Sequence, residues 1–405
     1  MYPRISDLIN DLFGTDIILP AKTFGFFLAA AFIVAYLVLK SELVRREKLG
    51  HFRRHKVKVK LQGPTPIRDV VIQALLWGVV LYKIGYYFVD AAEFNNDTEG
   101  VLLSLKGFWL TGLLGVGIGG GLKYRDYLKH KDEEDKFEEV LAGPAHYIGT
   151  IVTMAFVAGI LGSKLFAMLD PGSNFWRDPI ADLLSFNGLS FYGGLICAGG
   201  LIIWFLQRKK FGLLNSMDAF APCLIIAYAV GRIGCQMSGD GDWGIMNPDP
   251  QPEWLSFLPA WTWSFDYPHN VAYPLAGFKL DCAQGVCNEA VQIAGCTGEY
   301  CTKLATPVYP TPFYETMMGT LIFGLLWGLR KRLKFAGQIA GIYLFFNGLE
   351  RFLVESIRVN EVHSILGMNL TQAEIIATVL MLSGIVLFAW STRTKQAQLI
   401  EPADA

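Results

Sequence analysis

Seven ionisable side chains, Lys83, Lys164, Arg232, Glu315, Glu350, Arg351 and Glu355, stand within or at the ends of long apolar runs. A charge in hydrocarbon costs on the order of several kcal/mol unless it faces a polar cavity, so such residues mark candidate functional sites. In NGLERFLVESIRVNE (347–361), helical spacing places Arg351, Glu355 and Arg358 on one face, two guanidiniums flanking a carboxylate. In AYAVGRIGCQMSGDGDWG (227–244), Arg232 lies between Gly231 and Gly234 and runs into the turn Ser238-Gly239-Asp240-Gly241. Glycine exposes backbone N–H groups to a ligand and a guanidinium beside them can hold an anion bidentately, so phosphate is the natural guest. The plainer readings are a helix-end salt bridge with a snorkelling arginine, and a glycine-lined helix crossing. LSFYGGLICAGGL (189–201) supplies Gly193, Gly194, Gly199 and Gly200 for close packing and the Tyr192 hydroxyl near one membrane face.

The elements that must position these groups are helices in lipid. Of 405 residues, 52% are apolar and 18% charged, with a mean hydropathy of +0.35. The net charge of −1 points away from nucleic acid. Apolar runs long enough to span the bilayer fall near 21–41, 69–89, 104–122, 147–169, 190–206, 218–235, 312–329, 337–354 and 371–390. They predict an all-α polytopic membrane protein of about nine transmembrane helices. Connection 42–68 carries nine Lys/Arg against two acids, while 90–104 has four acids and no base. The positive-inside rule then predicts the N-terminus outside and the C-terminus in the cytoplasm, and every later loop agrees. The first run lacks a basic leader, which reads as an anchor without signal cleavage, and 1–20 read as interfacial. The acidic stretch 132–139 reads as solvated. Cys282, Cys287, Cys296 and Cys301 share the exterior loop 236–311 and read as two disulfides, with zinc the lesser alternative.

Taken in order, these segments resemble the prolipoprotein diacylglyceryl transferase family of bacterial inner membranes. GRIGCQMSGDGDWG (231–244) resembles its Gly-Arg-Ile-Gly-Asn, Gly-acid, Trp-Gly signature, and NGLSFYGGLI (187–196) its Ser-Phe-His-Gly-Gly stretch. GSKLFAMLDP (162–171) is similar to Gly-Ala-Arg-Leu-Gly, YPTPFYE (309–315) to His-Pro-Thr-Gln-Leu-Tyr-Glu, and ERFLVESIR (350–358) to the family's Arg-Phe…Glu-x-x-Arg. The resemblance implies a seven-span core, here with two extra spans. It also implies transfer of diacylglycerol from phosphatidylglycerol to the lipobox cysteine of a prolipoprotein precursor, with no metal and no cofactor. On this resemblance the catalytic candidates are Arg232, Arg351, Tyr192, Asp240 and Glu355, and the substrate-binding candidates Gly193, Gly194, Gly239, Gly244 and Arg358. Trp243 falls on the family's Trp. The expected organisation is an interfacial segment and first span (1–41), an insert (42–146), a membrane core (147–391) and a cytoplasmic tail (392–405).

Three family positions differ: His is Tyr192, Asn is Cys235, and the Tyr-Gly of the first span is Phe24-Gly25. The expected mechanism has Arg232 and Arg351 hold the lipid phosphate while a thiolate attacks the glyceryl carbon. Asp240, Asp242 and Glu355 are open as the base. The alternative is a chemically altered paralogue that serves as a lipid- or partner-binding membrane subunit. A transporter would also use buried charge, but the charges sit at span ends and no inverted repeat is evident.

Overall fold

The computed structural model describes residues 1–395 except 18, 20, 63–65, 97, 132–135, 170–189, 274–278, 284, 285, 298, 359–361, 366 and 367. In chain order the helices are α1 (Ile5–Phe13), α2 (Thr23–Lys48), α3 (Ile67–Val89), α4 (Ala91–Asn96), α5 (Thr98–Leu103), α6 (Trp109–His130), α7 (Ile148–Met168), α8 (Phe191–Arg208), α9 (Leu213–Ser238), α10 (Thr311–Leu329), α11 (Gln338–Glu355) and α12 (Gln372–Thr394). Every apolar run of the sequence falls on one of them. Among the described residues, five segments, α2, α3, Pro144–Met168, α9 and α12, are long and apolar enough to cross a membrane. The all-α expectation needs one correction: three small antiparallel sheets occupy connections between helices.

Two compact units result, one of Arg54–Phe205 and one of Met1–Arg53 with Leu206–Ala405. In the first, β1 (His55–Gln62) pairs with β2 (Lys136–Ala142), and Lys58 stands opposite Glu139. The described part of the acidic stretch is thus an exposed strand, solvated as its composition suggests, that also pairs with the basic connection. Residues 132–135 lie outside the described residues. Alternating Lys56, Lys58 and Lys60 with Val57 and Val59 gives β1 its strand pattern, and opposite charges across a pair add about 0.2–1 kcal/mol. Helices α3 and α6 approach closely because they meet at glycine; a Cβ on Gly115 or Gly119 would strike the carbonyl of Trp77 or Gln73. Lys83 is accounted for here by capping: its ammonium donates to the carbonyls of Val101, Ser104 and Lys106 at 2.7, 2.5 and 2.8 Å.

The second unit holds α2 and α9 to α12. Ala221 and Ile225 of α9, Ile322 and Leu326 of α10 and Ile339 of α11 form its apolar centre. Gly341 and Gly348 of α11 admit the backbone of α12, and Gly234 of α9 admits Phe24 and Phe27 of α2. At the start of α9, Asp218 accepts from the Gly337 and Ala340 amides at 2.9 and 2.8 Å, capping α11. It also faces Arg46 at 3.5 Å, and Arg46 in turn reaches Glu42 at 2.8 Å. Arg45 joins at 2.5 Å and Arg330 at 3.8 Å from Glu42. This buried cluster ties the ends of four helices together.

His51 lies beside it. Burial, then the Arg46 and Arg45 charges, push its imidazole down to about 4. The unfolded chain, with an ordinary histidine near 6.5, binds more protons between those values. Stability is therefore expected to fall as pH drops from about 6.5 towards 4. Thermal unfolding in detergent should show a smaller acid loss for His51→Asn than for the parent.

Candidate functional site

The site is built at the far end of α9, about 30 Å from Asp218 at 1.5 Å per residue. The helix stops because Gly239 turns left-handed, with φ 65°, and its amide returns to the Cys235 carbonyl at 3.0 Å. A side chain there would also strike Asn270, and Gly241 follows with φ 99°. These two glycines fold the turn back so that Asp242 meets Arg232 in an ion pair. Trp243 then plugs into the apolar core of the long connection between α9 and α10, with Tyr267, Ala290, Leu304 and Val308. The Tyr267 hydroxyl donates to Gln236 at 2.8 Å.

Gly244 threads between two other segments. Its amide donates to the Tyr309 carbonyl at 2.8 Å, the Ile245 amide donates to the Ile357 carbonyl at 2.8 Å, and Gly244 bridges Arg358. A Cβ at Gly244 would come within 2.6 Å of the Ile357 oxygen, so only glycine fits. Thr311 Oγ1 donates to the Asp242 carbonyl at 2.7 Å. Backbone pairing therefore brings together the turn after α9, the start of α10 and the end of α11.

Three guanidiniums converge through it. Glu315, in the second turn of α10 and 0% exposed, sits 3.0 Å from Arg232 Nε, 3.6 Å from Arg358 and 3.8 Å from Arg351. Asp242 bridges Arg232 and Arg358, the latter at 2.8 Å. Arg351 pairs with Glu355 at 3.0 Å, one helical turn apart as the spacing predicts. The Arg232 guanidinium also lies 5.3 Å from the centre of the Tyr228 ring. Burial raises both carboxyls of the turn. At Asp240, the Asp242 charge adds to it. At Asp242, the Arg232 and Arg358 charges outweigh it and hold the carboxyl below its ordinary range.

Arg232, Arg351, Arg358, Asp240 and Glu355 thus fall in one region with Gly239 and Gly244. Arg358 needs a correction, because α11 ends at Glu355 and Arg358 arrives through the bridge to Gly244 instead of by helical periodicity. Glu315 is absent from the catalytic and substrate-binding candidates of the sequence, although two signals pointed to it: a charge in an apolar run and its place at the end of the YPTPFYE motif. Gly193 and Gly194 belong to the other unit, where a Cβ on either would collide with α7, at the Gly162 carbonyl and Phe166 or at Ser163. The side chain of Tyr192 lies outside the described residues. Cys235 is buried, its sulfur 3.7 Å from Arg232 Nη1. Ligand atoms of Cys235, Asp240 and Asp242 lie within 4.8 Å of one another, a metal-like spacing. A cation there would have to displace two guanidiniums from Asp242, so the charge distribution suits an anion instead. In the connection between α9 and α10, Cys296 and Cys301 form a disulfide, while the Cys282 and Cys287 side chains lie outside the described residues.

The family model described as prolipoprotein diacylglyceryl transferase matches residues 113–390, more than half of the chain. Among similar curated proteins is the phosphatidylglycerol–prolipoprotein diacylglyceryl transferase of Corynebacterium efficiens, 25% identical over 256 residues, or 62% of this chain and 70% of that protein. Proteins of the same name from Bordetella bronchiseptica and Streptococcus suis are each 23% identical, covering 79% and 74% of this chain and 92% and 93% of their own lengths. With signature turn, arginines and α10 motif gathered in one place and the family model spanning them, the chain belongs to the prolipoprotein diacylglyceryl transferase family.

Proposed function

We propose that this chain transfers a diacylglyceryl group from phosphatidylglycerol to the cysteine thiol of a prolipoprotein in the bacterial inner membrane. The observation that carries the reading is the gathering of Arg232, Arg351 and Arg358 around two carboxylates at the ends of apolar helices. A phospholipid reaches such a place with its phosphate at the arginines and its acyl chains along the helices.

The charges already balance in pairs, so an arriving phosphodiester must displace a carboxylate. Asp242 is the one placed to yield. Its side chain is 38% exposed and sits on a turn with two left-handed glycines, whereas Glu315 is closed off. In this reading Asp242 keeps the guanidiniums oriented until phosphate replaces it, and Glu315 remains as their fixed counter-charge. The thiolate forms its bond to the glyceryl carbon as the carbon–oxygen bond to phosphate breaks. The electron pair leaves on the phosphate oxygen, and the guanidiniums stabilise the second negative charge of the departing glycerol phosphate. Gly239 and Gly244 serve by letting backbone approach.

The finer organisation belongs to the same proposal: nine spans, the N-terminus outside and the C-terminus inside, supported by the asymmetry of Lys/Arg between alternate loops. Residues 42–146 are an insert between the first span and the core 147–391, a division that rests on the two extra apolar runs and their basic connection. Purified protein, phosphatidylglycerol vesicles and a lipobox peptide should yield the diacylglyceryl mass increment on the peptide cysteine. Lipid binding without any increment would favour the altered, non-catalytic paralogue.

A further inference from the structure

Two polar groups, one buried and one half-buried, stand next to the arginine cluster and take no part in the phosphate reading. Glu350, buried on α11 immediately before Arg351, accepts a hydrogen bond from the Tyr228 hydroxyl of α9 at 3.1 Å. Tyr228 is half-buried and lies one turn before Arg232, whose guanidinium covers its ring. No guanidinium ion pair to Glu350 occurs among the described residues, unlike Asp242, Glu315 and Glu355.

Resting on the transferase reading above, we propose that Tyr228 and Glu350 form the relay that removes the proton from the acceptor thiol. Position is the first argument. With phosphate at Arg232 and Arg358, the diacylglyceryl carbon lies on the acyl-chain side of the phosphate. A nucleophile displacing the phosphate oxygen in line lies further still in that direction. Tyr228 is four residues below Arg232, about 6 Å deeper along the helix. Asp240 and Asp242 lie on the opposite, outer side, in the turn beyond the helix end.

Charge is the second argument. A carboxylate held by arginine is a weak base, and Asp242, Glu315 and Glu355 are all so held. Among the described residues, the direct partner of Glu350 is the neutral Tyr228 hydroxyl. The groups acting on it from around are Glu315 of α10, Tyr228 and Arg232 of α9, and Arg351 of its own helix, with Tyr343 within electrostatic reach. The step balances. The thiol proton passes to the Tyr228 oxygen as Tyr228 gives its own to Glu350. Sulfur bonds to the glyceryl carbon, and the electron pair of the broken carbon–oxygen bond leaves with glycerol phosphate. Glu350 returns the proton to that dianion or to water as the product departs. Glu350 acts through Tyr228, so it is a positioning and proton-holding residue.

The test is single-turnover transfer from phosphatidylglycerol vesicles to a lipobox peptide between pH 5.5 and 9, using the full chain and Glu350→Gln, Glu350→Asp, Tyr228→Phe and Asp240→Asn. A carboxylate base gives the parent a plateau around neutral pH. Glu350→Gln and Tyr228→Phe should each fall about 10²-fold or more at pH 7, a typical general-base contribution. Their residual rates should climb tenfold per pH unit towards the thiol's own pKa near 8.5. Glu350→Asp should recover part of the plateau, and the vesicle concentration giving half-maximal rate should stay at the parent value. Any of three results overturns the relay: a parental plateau in folded Glu350→Gln, a uniform drop with the plateau kept, or loss of the plateau in Asp240→Asn alone. A parent chain that transfers nothing overturns the transferase reading, and the relay with it.

Discussion

Arg232→Ala is expected to lower diacylglyceryl transfer by about 10³-fold or more and to destabilise the protein by on the order of 3–5 kcal/mol. The first effect follows from losing a donor aimed at the charge that grows on the departing phosphate. The second follows because Glu315 is fully buried and its nearest cation is Arg232, at 3.0 Å. Removing the guanidinium leaves that carboxylate with Arg358 and Arg351 at 3.6 and 3.8 Å, and Asp242 with Arg358 alone. The two losses separate in the double variant Arg232→Ala/Glu315→Gln, which should regain most of the thermal stability and none of the activity. Unfolding in detergent and mass spectrometry of the peptide product measure the two arms. A double variant that recovers transfer would show that Arg232 serves only to neutralise Glu315.

Glu42→Ala should destabilise by a similar amount, on the order of 3–5 kcal/mol, with little effect on the rate per folded molecule. Glu42 is fully buried and neutralises Arg45 and Arg46 together. Its loss strands Arg46, which is 1% exposed and keeps only a 3.5 Å approach to Asp218. Because Asp218 caps α11 through two amides, the disturbance should loosen the end of that helix remote from Glu355. Glu42→Ala/Arg46→Met, which removes both charges, should restore much of the stability, since an apolar replacement of a buried pair is often neutral or better. A large fall in the rate per folded molecule of Glu42→Ala would show that the two ends of α9 are energetically coupled.

These two clusters differ in how far the sequence exposed them. Arg232 and Arg351 stand out in sequence because each interrupts an apolar run, and the cost of charge in lipid is a local property that one segment displays by itself. Glu42 does not stand out. It begins a connection dense in lysine and arginine, so it reads as one acid among nine bases, and only packing reveals that α2 continues to Lys48 and carries it inside. The pairing of Glu138 and Glu139 is hidden for the same reason: they are exposed, as their composition suggests, and nothing in their own segment shows that β1, more than seventy residues earlier in the chain, lies beside them.

The sequence by itself determined that the chain is a helical membrane protein, where its helices lie, and that the Gly-Arg and Glu-Arg segments hold charges at the ends of apolar runs. Hydropathy, glycine content and the penalty for a lone charge are read residue by residue along one strand of text, so they survive without coordinates. Only the tertiary structure decided that Glu315 is the common partner of three guanidiniums, that Arg358 reaches them through the Gly244 bridge, and that Tyr228 hands its proton-bearing hydroxyl to Glu350. Those facts join residues of α9 and the turn after it, of α10, and of α11 and its end, separated by up to about 130 positions, and the electrostatics of such a group depends on distances of 3–4 Å that no spacing within a single segment encodes.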